Sequence, residues 1–561
     1  MNHLIFFEKS SVKLLNISEI IDIIRPVSEL GRRYKHSLKP YLPGQEAELR
    51  SEYSRIKILL DEIQSDKSFI ASLTDSVAKI DNIRYSLTKA IADEALELQD
   101  IYEVKHFVFY SEKVRSILVE KGLTEITSLP DFSDLFSYLD PERQNIPLFH
   151  ISGKYSKLLH ELKSDYSQLN LKLESLAGKN LERAKKGLNL KEGGDQIVVS
   201  RNNKALIDTL SDSKWFTLSS ENFANLTFIL KKSEEELRLE KQKSDLKASI
   251  EEEELRVRSE ISKKISVRAQ ELIDTHSLIA NLDFLIAKTI FAIETKSMIP
   301  NVIEKSGAEQ ELFSIVKGVN IPVKRQLKIK NIEYQPIDLC IRKNINLITG
   351  ANMAGKSTTL KTIGQLFYLL SFGAPLPCNE ASLPLVDFIF LSNDTESTNR
   401  MDLSSFASEL ISIDRAIKNK GYGLFLIDEF ARGTNPQEGE AFAKATIERF
   451  INKNALVISS THFTAPTLIK EAGHFRIKGL SEDSYETLKD TLHPQSNLNN
   501  NDLQIRLQEL HKYMDYRIEE VENSTVPPKA ALMIAEILGV EKEILQKVKE
   551  YIESNGNKQI E

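Results

Sequence analysis

Residues 350–357 read Gly-Ala-Asn-Met-Ala-Gly-Lys-Ser and match the phosphate-binding pattern G-x-x-x-x-G-K-[ST]; we call them the phosphate loop. The glycines of this pattern let the backbone wrap around phosphate groups, and the amides that open the following helix point at the anion. The ammonium of Lys356 can neutralise the β- and γ-phosphates, and the hydroxyl of Ser357 is a ligand for Mg²⁺. The spacing therefore predicts a site for a nucleoside triphosphate and magnesium.

Two further polar groups each follow an apolar run. Asp428 and Glu429 come directly after Leu424-Phe-Leu-Ile427, and His462 comes shortly after Leu456-Val-Ile-Ser459. A carboxylate at the end of a buried strand can hold the metal through its water shell, and its neighbour can polarise the attacking water as a general base. We expect His462 to contact the γ-phosphate or this water, although a lone histidine can also be purely structural. Together with the phosphate loop, these groups predict an ATPase that converts ATP and water to ADP and phosphate.

The segments that must position these groups change in character near residue 300. After it, short apolar runs alternate with helical stretches, which predicts a mainly parallel sheet covered by helices. Before it, apolar residues follow helical spacing over 44–118, 152–187 and 233–265. The last two stretches are expected to form an antiparallel hairpin, with residues 188–230 inserted between them as a small β-containing piece.

Composition limits the classes of function. The chain has 561 residues, enough for several domains, and 74 Lys and Arg against 81 Asp and Glu give a net charge of −7. This balance argues against a dominantly electrostatic nucleic-acid binder but leaves a local basic patch open. Two cysteines, Cys340 and Cys378, exclude a disulfide framework and a Cys-based zinc site. We find no secretory signal and no apolar stretch approaching the length of a membrane span, so we expect a cytoplasmic protein without membrane contact.

Three strings carry a resemblance to a known family. Residues 349–358, TGANMAGKST, resemble the TGPNMGGKST loop of the MutS mismatch-repair ATPases. Residues 428–439, DEFARGTNPQEG, resemble the DELGRGT…G segment of that family, and residues 460–463, STHF, are similar to its THF. Upstream the resemblance is weaker, at Leu30-Gly-Arg-Arg33 and Leu282-Asp-Phe-Leu-Ile286.

The resemblance implies a role for each matching residue. Glu429 and His462 would be catalytic, and Ser357 and Asp428 would hold Mg²⁺. The segment Ser404-Ser-Phe-Ala-Ser-Glu409 matches the part of the family that reaches the γ-phosphate of a partner subunit, which implies a homodimer or MutS-like heterodimer with composite ATP sites. The implied ATP-binding residues are Gly350, Ala351, Asn352, Met353, Ala354, Gly355, Lys356, Ser357, Thr358, Ser404 and Ser405.

The expected fold is multidomain: α-helical core and lever arms, then an α/β P-loop ATPase domain of the ABC type, then a C-terminal helix-turn-helix. The expected domains, in chain order, are a helical core with the first lever arm (1–187), a reduced clamp-like insertion (188–230), returning lever helices (231–299), the P-loop ATPase domain (300–515) and a dimerisation tail (516–561).

Departures from the family pattern leave two functions open. The helical core starts almost at once, where MutS proteins have a mismatch-reading domain, and the clamp is reduced to residues 188–230. The first alternative is a DNA-binding ATPase that acts on branched or damaged DNA and couples its ATP site to long helical arms. Its phosphate contacts would come from Arg183, Lys185, Lys186, Lys191, Arg201 and Lys204. The second alternative is a chaperone-like ATPase that remodels a protein client, such as the reactivase of cobalamin-dependent lysine aminomutase.

Overall fold

The computed structural model describes residues 9–304, 311–392, 405–491, 500–522 and 531–556. The chain divides into two compact units. The first comprises Met1–Val27, Gly31–Thr74 and Ala280–Glu561, and the second comprises Ser28–Leu30 and Asp75–Ile279. The opening helices therefore cluster with the α/β region, although they are distant from it in sequence.

Helices account for most of the described residues. In chain order they are Lys9–Leu14, Ile17–Ile21, Glu29–Ser37, Glu46–Ser65, Lys67–Ala78, Arg84–Ile91, Leu98–Glu120, Ser133–Leu139, Lys157–Leu188, Lys204–Ser211, Glu234–Val267, Ala269–Thr295, Ile321–Ile329, Lys356–Ser371, Ser405–Lys418, Pro436–Arg449, Glu482–Thr491, Asn500–Tyr513, Ala531–Ile537 and Lys542–Gly556, with 3₁₀ turns at Gly153–Tyr155 and Ala465–Leu468.

A six-stranded sheet lies at the centre of the first unit. Its strands, in spatial order, are Asp515–Glu520, Ala472–Gly479, Ile345–Thr349, Ala455–Ser460, Gly423–Asp428 and Phe388–Ser392. All neighbouring strands run parallel except the first pair, which is antiparallel. The prediction of a mainly parallel sheet is confirmed. Its central strands Gly423–Asp428 and Ala455–Ser460 are buried and largely apolar, as expected in a parallel sheet.

A second sheet in the same unit has four strands. Their spatial order is Asn301–Ile303, Glu380–Pro384, Phe313–Gly318 and Ile337–Ile341. The pairing of the first two is parallel, and the other pairings are antiparallel. The α/β region thus contains two sheets of mixed direction.

The second unit contains the long helical hairpin. Helices Lys157–Leu188 and Glu234–Val267 run antiparallel. As residue numbers rise along the first helix, the numbers of their cross-linked partners fall along the second. The cross-links are Ser156 to Glu253, Lys163 to Glu254 at 2.8 Å, Asn170 to Lys243 at 2.6 Å and Asn180 to Glu236 at 2.8 Å. The prediction of an antiparallel hairpin is confirmed.

The inserted segment forms a small antiparallel sheet with the spatial order Gln196–Ser200, Asn225–Leu230, Phe216–Glu221. One face of this sheet packs on the helix Lys204–Ser211 through its own apolar core, which includes the buried Phe216 and Phe228. The prediction of a β-containing insertion is confirmed.

The helix Ala269–Thr295 corrects one expectation. Its length and composition would allow it to cross a membrane, contrary to our prediction that no apolar stretch approaches that length. However, 72% of the most apolar 18-residue stretch of this helix is buried inside the structure, as in a core helix. This arrangement is consistent with a soluble protein.

Candidate functional site

The phosphate loop joins a strand to a helix, as predicted. All five residues of the strand Ile345–Thr349 are buried, and the helix Lys356–Ser371 starts directly after Gly355. Gly355 has a φ of +91°, a left-handed conformation that a residue without a Cβ adopts readily. Met353 also has a positive φ, +67°, so the loop backbone turns sharply twice before the helix begins.

Lys356 lies folded back into the phosphate loop. Its Nζ donates to the carbonyls of Gly350 at 2.9 Å and Ala351 at 3.2 Å, and it forms an ion pair with Glu429 Oε1 at 3.1 Å. The side chain is only 4% exposed. A buried ammonium needs such partners, because removing its charge from water is costly. The predicted phosphate ligand and the predicted base are therefore in direct contact.

The two carboxylates follow the strand Gly423–Asp428, and the neighbouring parallel strand positions them. Ser460, which is paired with Asp428 in the sheet register, donates its hydroxyl to Asp428 Oδ1 at 2.7 Å. The same hydroxyl accepts the backbone N–H of Glu429 at 3.0 Å. One serine thus fixes the backbone and side chain of adjacent acidic residues.

Glu429 is held in its charged form. Burial raises its pKa, but the charges of Lys356 and Arg432 outweigh burial and bring the pKa below the ordinary value of a glutamate. Arg432 Nη1 contacts Glu429 Oε2 at 2.8 Å, on the opposite oxygen from Lys356. At neutral pH this side chain is therefore a carboxylate, the form that a general base requires.

His462 lies near the same charges and is partly exposed. Partial burial lowers its pKa from the ordinary value; Glu429 opposes this effect, whereas Lys356 and Arg432 add to it. Its ring lies 4.4 Å from that of Phe463, centroid to centroid. The neutral imidazole that results at pH 7 can either donate or accept a hydrogen bond.

The loop that follows Glu429 has an unusual backbone. Glu429 and Ala431 have φ values of +48° and +65°, which are uncommon for residues other than glycine and cluster at functional sites. The N–H of Ala431 donates to the buried Glu409 at 3.4 Å, and a Cβ at Gly439 would lie 2.6 Å from the Ala431 carbonyl oxygen. These contacts give a packing reason for the glycine at the end of the DEFARGTNPQEG segment.

The remaining predicted residues are placed as follows. Asn352 and Ser357 are exposed on the phosphate loop, while Ala351 and Ala354 are buried beneath it. Ser404 lies outside the described residues. Ser405 begins the helix Ser405–Lys418, and its side chain is not among those described.

The residues present fit magnesium bound mainly through phosphate and water. Among the described residues, no group of three or more His, Cys, Asp or Glu could hold a metal on its own. Magnesium commonly binds through one or two protein oxygens together with phosphates. The hydroxyl of Ser357 and the carboxylate of Asp428 are groups of that kind.

Tyr516 also lies at this site, although the sequence pattern did not predict it. A Cβ at Gly355 would lie 3.1 Å from Tyr516 Cδ1, so the tyrosine ring packs against the backbone of the phosphate loop. Gln335 accepts the Tyr516 N–H at 2.9 Å, and the tyrosine hydroxyl bonds His511 Nδ1 at 2.6 Å. No local signal marks Tyr516, because only the pairing of the strand Asp515–Glu520 at the sheet edge brings it to the loop. Arg432 and Ser460, by contrast, belong to the segments 428–439 and 460–463, which the sequence resemblance had already marked.

Comparison with known proteins agrees with this geometry. The family described as MutS domain V matches residues 346–554, which contain the phosphate loop, both carboxylates and His462. The chain is 24% identical to Endonuclease MutS2 of Caldanaerobacter subterraneus subsp. tengcongensis over 511 residues, covering 87% of this chain and 60% of the relative. It is 25% identical to Endonuclease MutS2 of Thermotoga neapolitana, over 86% of this chain and 61% of the relative. The match to Endonuclease MutS2 of Fusobacterium nucleatum reaches 31% identity, over 50% of this chain and 32% of the relative.

The helical content together with the mixed α/β sheets fits a multidomain MutS-like protein. Residues 346–554 belong to the MutS domain V family, and the chain is similar to Endonuclease MutS2 proteins over most of its length. It spans about 60% of the length of the Endonuclease MutS2 relatives that match most of it. Membership of the reactivase-type subgroup stays a prediction.

Proposed function

We propose that this protein is a MutS-like ATPase that acts on branched or damaged DNA. The observation that carries the ATPase assignment is the 3.1 Å contact between Lys356 and Glu429 within one phosphate loop site. The match of residues 346–554 to MutS domain V, together with relatives named Endonuclease MutS2, supports DNA as the substrate.

In this mechanism the phosphate loop would bind the triphosphate through its backbone amides, and Ser357 and Asp428 would hold Mg²⁺, which would supply positive charge next to the phosphates. Lys356 would leave Glu429 and turn to the β- and γ-phosphates. Glu429, still contacted by Arg432, would then accept a proton from the attacking water. His462, neutral at pH 7, would hydrogen-bond the γ-phosphate or that water.

The Lys356–Glu429 pair couples ATP binding to the activation of the base, because Lys356 must leave Glu429 to reach the phosphates. A base that is paired with an ammonium is a poor proton acceptor, because the ion pair stabilises the carboxylate. ATP binding therefore releases Glu429 for catalysis, since the phosphates compete for the same ammonium. In the free protein, the pair would keep the base inactive.

We further propose a dimer with composite sites, in which Ser404 and Ser405 reach the partner's γ-phosphate. The tail supports this arrangement. The helix Lys542–Gly556 has exposed apolar side chains at helical spacing on one face, at Ile544, Val548, Tyr551 and Ile552. Such a stripe is typical of a helix that packs against a partner, here a second copy of the tail.

DNA contacts are proposed for the insertion and the adjoining helix end. Two of the candidate basic side chains already have acidic neighbours: Arg201 contacts Glu221 at 2.8 Å and Lys185 contacts Glu182 at 3.6 Å. These pairs are at least partly exposed and contribute little to stability, so phosphates can compete for them. A DNA binder of this kind should lose affinity steeply as the salt concentration rises.

The experiment measures binding of the purified protein to duplex and four-way-junction DNA over a salt series, with and without ATP. The proposal expects binding to the junction that weakens as salt rises and that responds to ATP. A protein that hydrolyses ATP but binds neither DNA at low salt would contradict the DNA assignment and leave a protein client as the substrate. As part of the same proposal, we expect the protein to be located in the cytoplasm.

A further inference from the structure

The helix Lys356–Ser371, which begins in the phosphate loop, ends against buried polar groups from distant parts of the chain. Each of these groups donates a hydrogen bond to a carbonyl at or just beyond the end of the helix. They are the Tyr41 amide to Ser371 at 2.7 Å, Lys288 Nζ to Phe372 at 2.6 Å and the Tyr53 hydroxyl to Ala374 at 3.0 Å. The C-terminal carbonyls, which have no partners within the helix itself, are thus bound by side chains and backbone of other segments.

Lys288 is also paired with Glu52. The side chains are only 1% and 8% exposed, and the Tyr41 hydroxyl donates to the second oxygen of Glu52 at 2.6 Å. Stability alone does not require such a pair, because apolar side chains of similar volume often serve as well or better in a core. The pair does bind and orient a helix end: Lys288 places a cation where the helix dipole favours one.

The chain leaves the helix directly over this pair. Gly373 has a φ of +63°, and a Cβ there would lie 2.6 Å from Glu52 Oε1 and 3.2 Å from Lys288 Nζ. Only a glycine fits, since any side chain would displace one of the charged groups. The helix end and the ion pair are therefore packed without space for independent movement.

The helix itself connects this end to the ATP site as a rigid element. Twelve of its residues are buried, from Lys356 to Ser371. Sixteen residues at 1.5 Å each make it about 24 Å long. A shift at the phosphate loop is therefore transferred along the helix axis rather than absorbed within it.

We propose that the Glu52–Lys288 pair is a joint that makes the phosphate-loop helix move together with the helices Glu46–Ser65 and Ala269–Thr295; this inference rests on the ATP binding proposed above. When Lys356 exchanges Glu429 for phosphates, the start of its helix adjusts to the ligand. The far end cannot slide past the joint, because separating the pair would leave a buried charge without a partner. Glu52 and Lys288 are thus positioning residues, which act through the helix rather than on the nucleotide.

The test compares the wild-type chain with the double variant Glu52→Gln, Lys288→Met. This variant removes both charges, so that neither charge is left buried without its partner. Hydrogen exchange is followed with and without Mg-ATP at residues 350–358, 46–65 and 280–295, and ATP affinity is measured by calorimetry. The matched control is Lys105→Met with Asp140→Asn. That pair is equally buried, at 4% and 7% exposure and 3.0 Å, but lies in the second unit.

In the wild type, ATP is expected to slow exchange at 350–358 and to alter exchange in both helical segments. The double variant keeps the response at 350–358, with ATP affinity within about threefold, but its response at the helical segments falls at least about fivefold. The control pair keeps all three responses. A full response of the helical segments in the double variant would overturn the joint, whatever its effect on melting temperature.

A milder variant covers the case in which the double variant does not fold. Tyr41→Phe removes only the hydroxyl that bonds Glu52, and it should by itself weaken the ATP response of the helical segments. An unchanged response in Tyr41→Phe would then overturn the proposal. A wild-type protein that responds at 350–358 but not in the helical segments would refute the joint alone, whereas no response at 350–358 would refute ATP binding itself.

Discussion

Asp283 packs directly against Gly31. A Cβ at Gly31 would lie 2.1 Å from Asp283 Oδ2, while Asp283 Oδ1 accepts the N–H of Val27 at 3.0 Å. Asp283 is 1% exposed, so its carboxyl group needs hydrogen-bond partners within the structure. Two segments that carry the weaker upstream resemblance to MutS, 30–33 and 282–286, thus contact each other through Gly31 and Asp283.

Gly31→Ala should therefore be destabilising. The added methyl group overlaps a buried carboxylate that cannot withdraw without losing its hydrogen bonds, and we expect the free energy of unfolding to fall by about 1–3 kcal/mol. Urea denaturation measures this loss. Gly178→Ala is the control, because nothing lies within 4 Å of a Cβ at that helical position, and it should leave stability unchanged or slightly raised. Equal stability of Gly31→Ala and the wild type would mean that this packing is loose.

Glu429→Gln should retain ATP binding and lose turnover. The amide keeps the size of the side chain but cannot accept a proton, so phosphate release is expected to slow by about 100-fold or more. Calorimetry with Mg-ATP and a phosphate-release assay separate the two effects. Glu438→Gln, an exposed residue on the next helix, is the matched control. Hydrolysis at the wild-type rate by Glu429→Gln would place the base elsewhere.

Stability should decline as the pH falls from 7.5 to 5.5, because His474 is buried in its neutral form. Burial lowers its pKa, and the Glu522 carbonyl only partly opposes this effect. Below a pH of about 6.5 this histidine binds a proton in the unfolded chain but not in the folded one, so the free energy of unfolding decreases. A proton on Nε2 would also disturb the 2.8 Å contact with the Thr349 hydroxyl.

Urea midpoints at the two pH values test this prediction. Few carboxylates titrate in that interval, which isolates the histidines. His474→Asn removes the ionisable ring and should reduce the pH dependence, although it lowers stability at both values. A variant with the full pH dependence of the wild type would show that other histidines are responsible.

Ser405→Ala should impair ATP-dependent closure of the dimer. This expectation comes from the resemblance of residues 404–409 to the segment that crosses to the partner's nucleotide. Dimer closure can be followed by small-angle scattering with and without ATP. Mixed dimers that carry one Ser405→Ala subunit and one Glu429→Gln subunit then show which site is affected. If the Ser405→Ala substitution impairs only the ATP site of its own subunit, the sites are not shared between subunits.

Most of the candidate site could be predicted from the sequence. The phosphate loop, Asp428–Glu429 and His462 belong to short contiguous strings, and the apolar runs before them became strands of one sheet, as predicted. Local patterns suffice here because a strand, a turn and a helix start depend mainly on neighbouring residues. The roles of Ser404 and Ser405 stay predictions.

Only the tertiary structure determined how these groups are held. The pairing of Lys356 with Glu429, the ring of Tyr516 on Gly355 and the Glu52–Lys288 pair all join residues far apart in the chain. The same holds for the helix Ala269–Thr295, whose apolar sequence resembles a membrane span but whose side chains are buried by other segments. Such contacts depend on which surfaces meet when the chain closes on itself, and a one-dimensional pattern records the residues but not their partners.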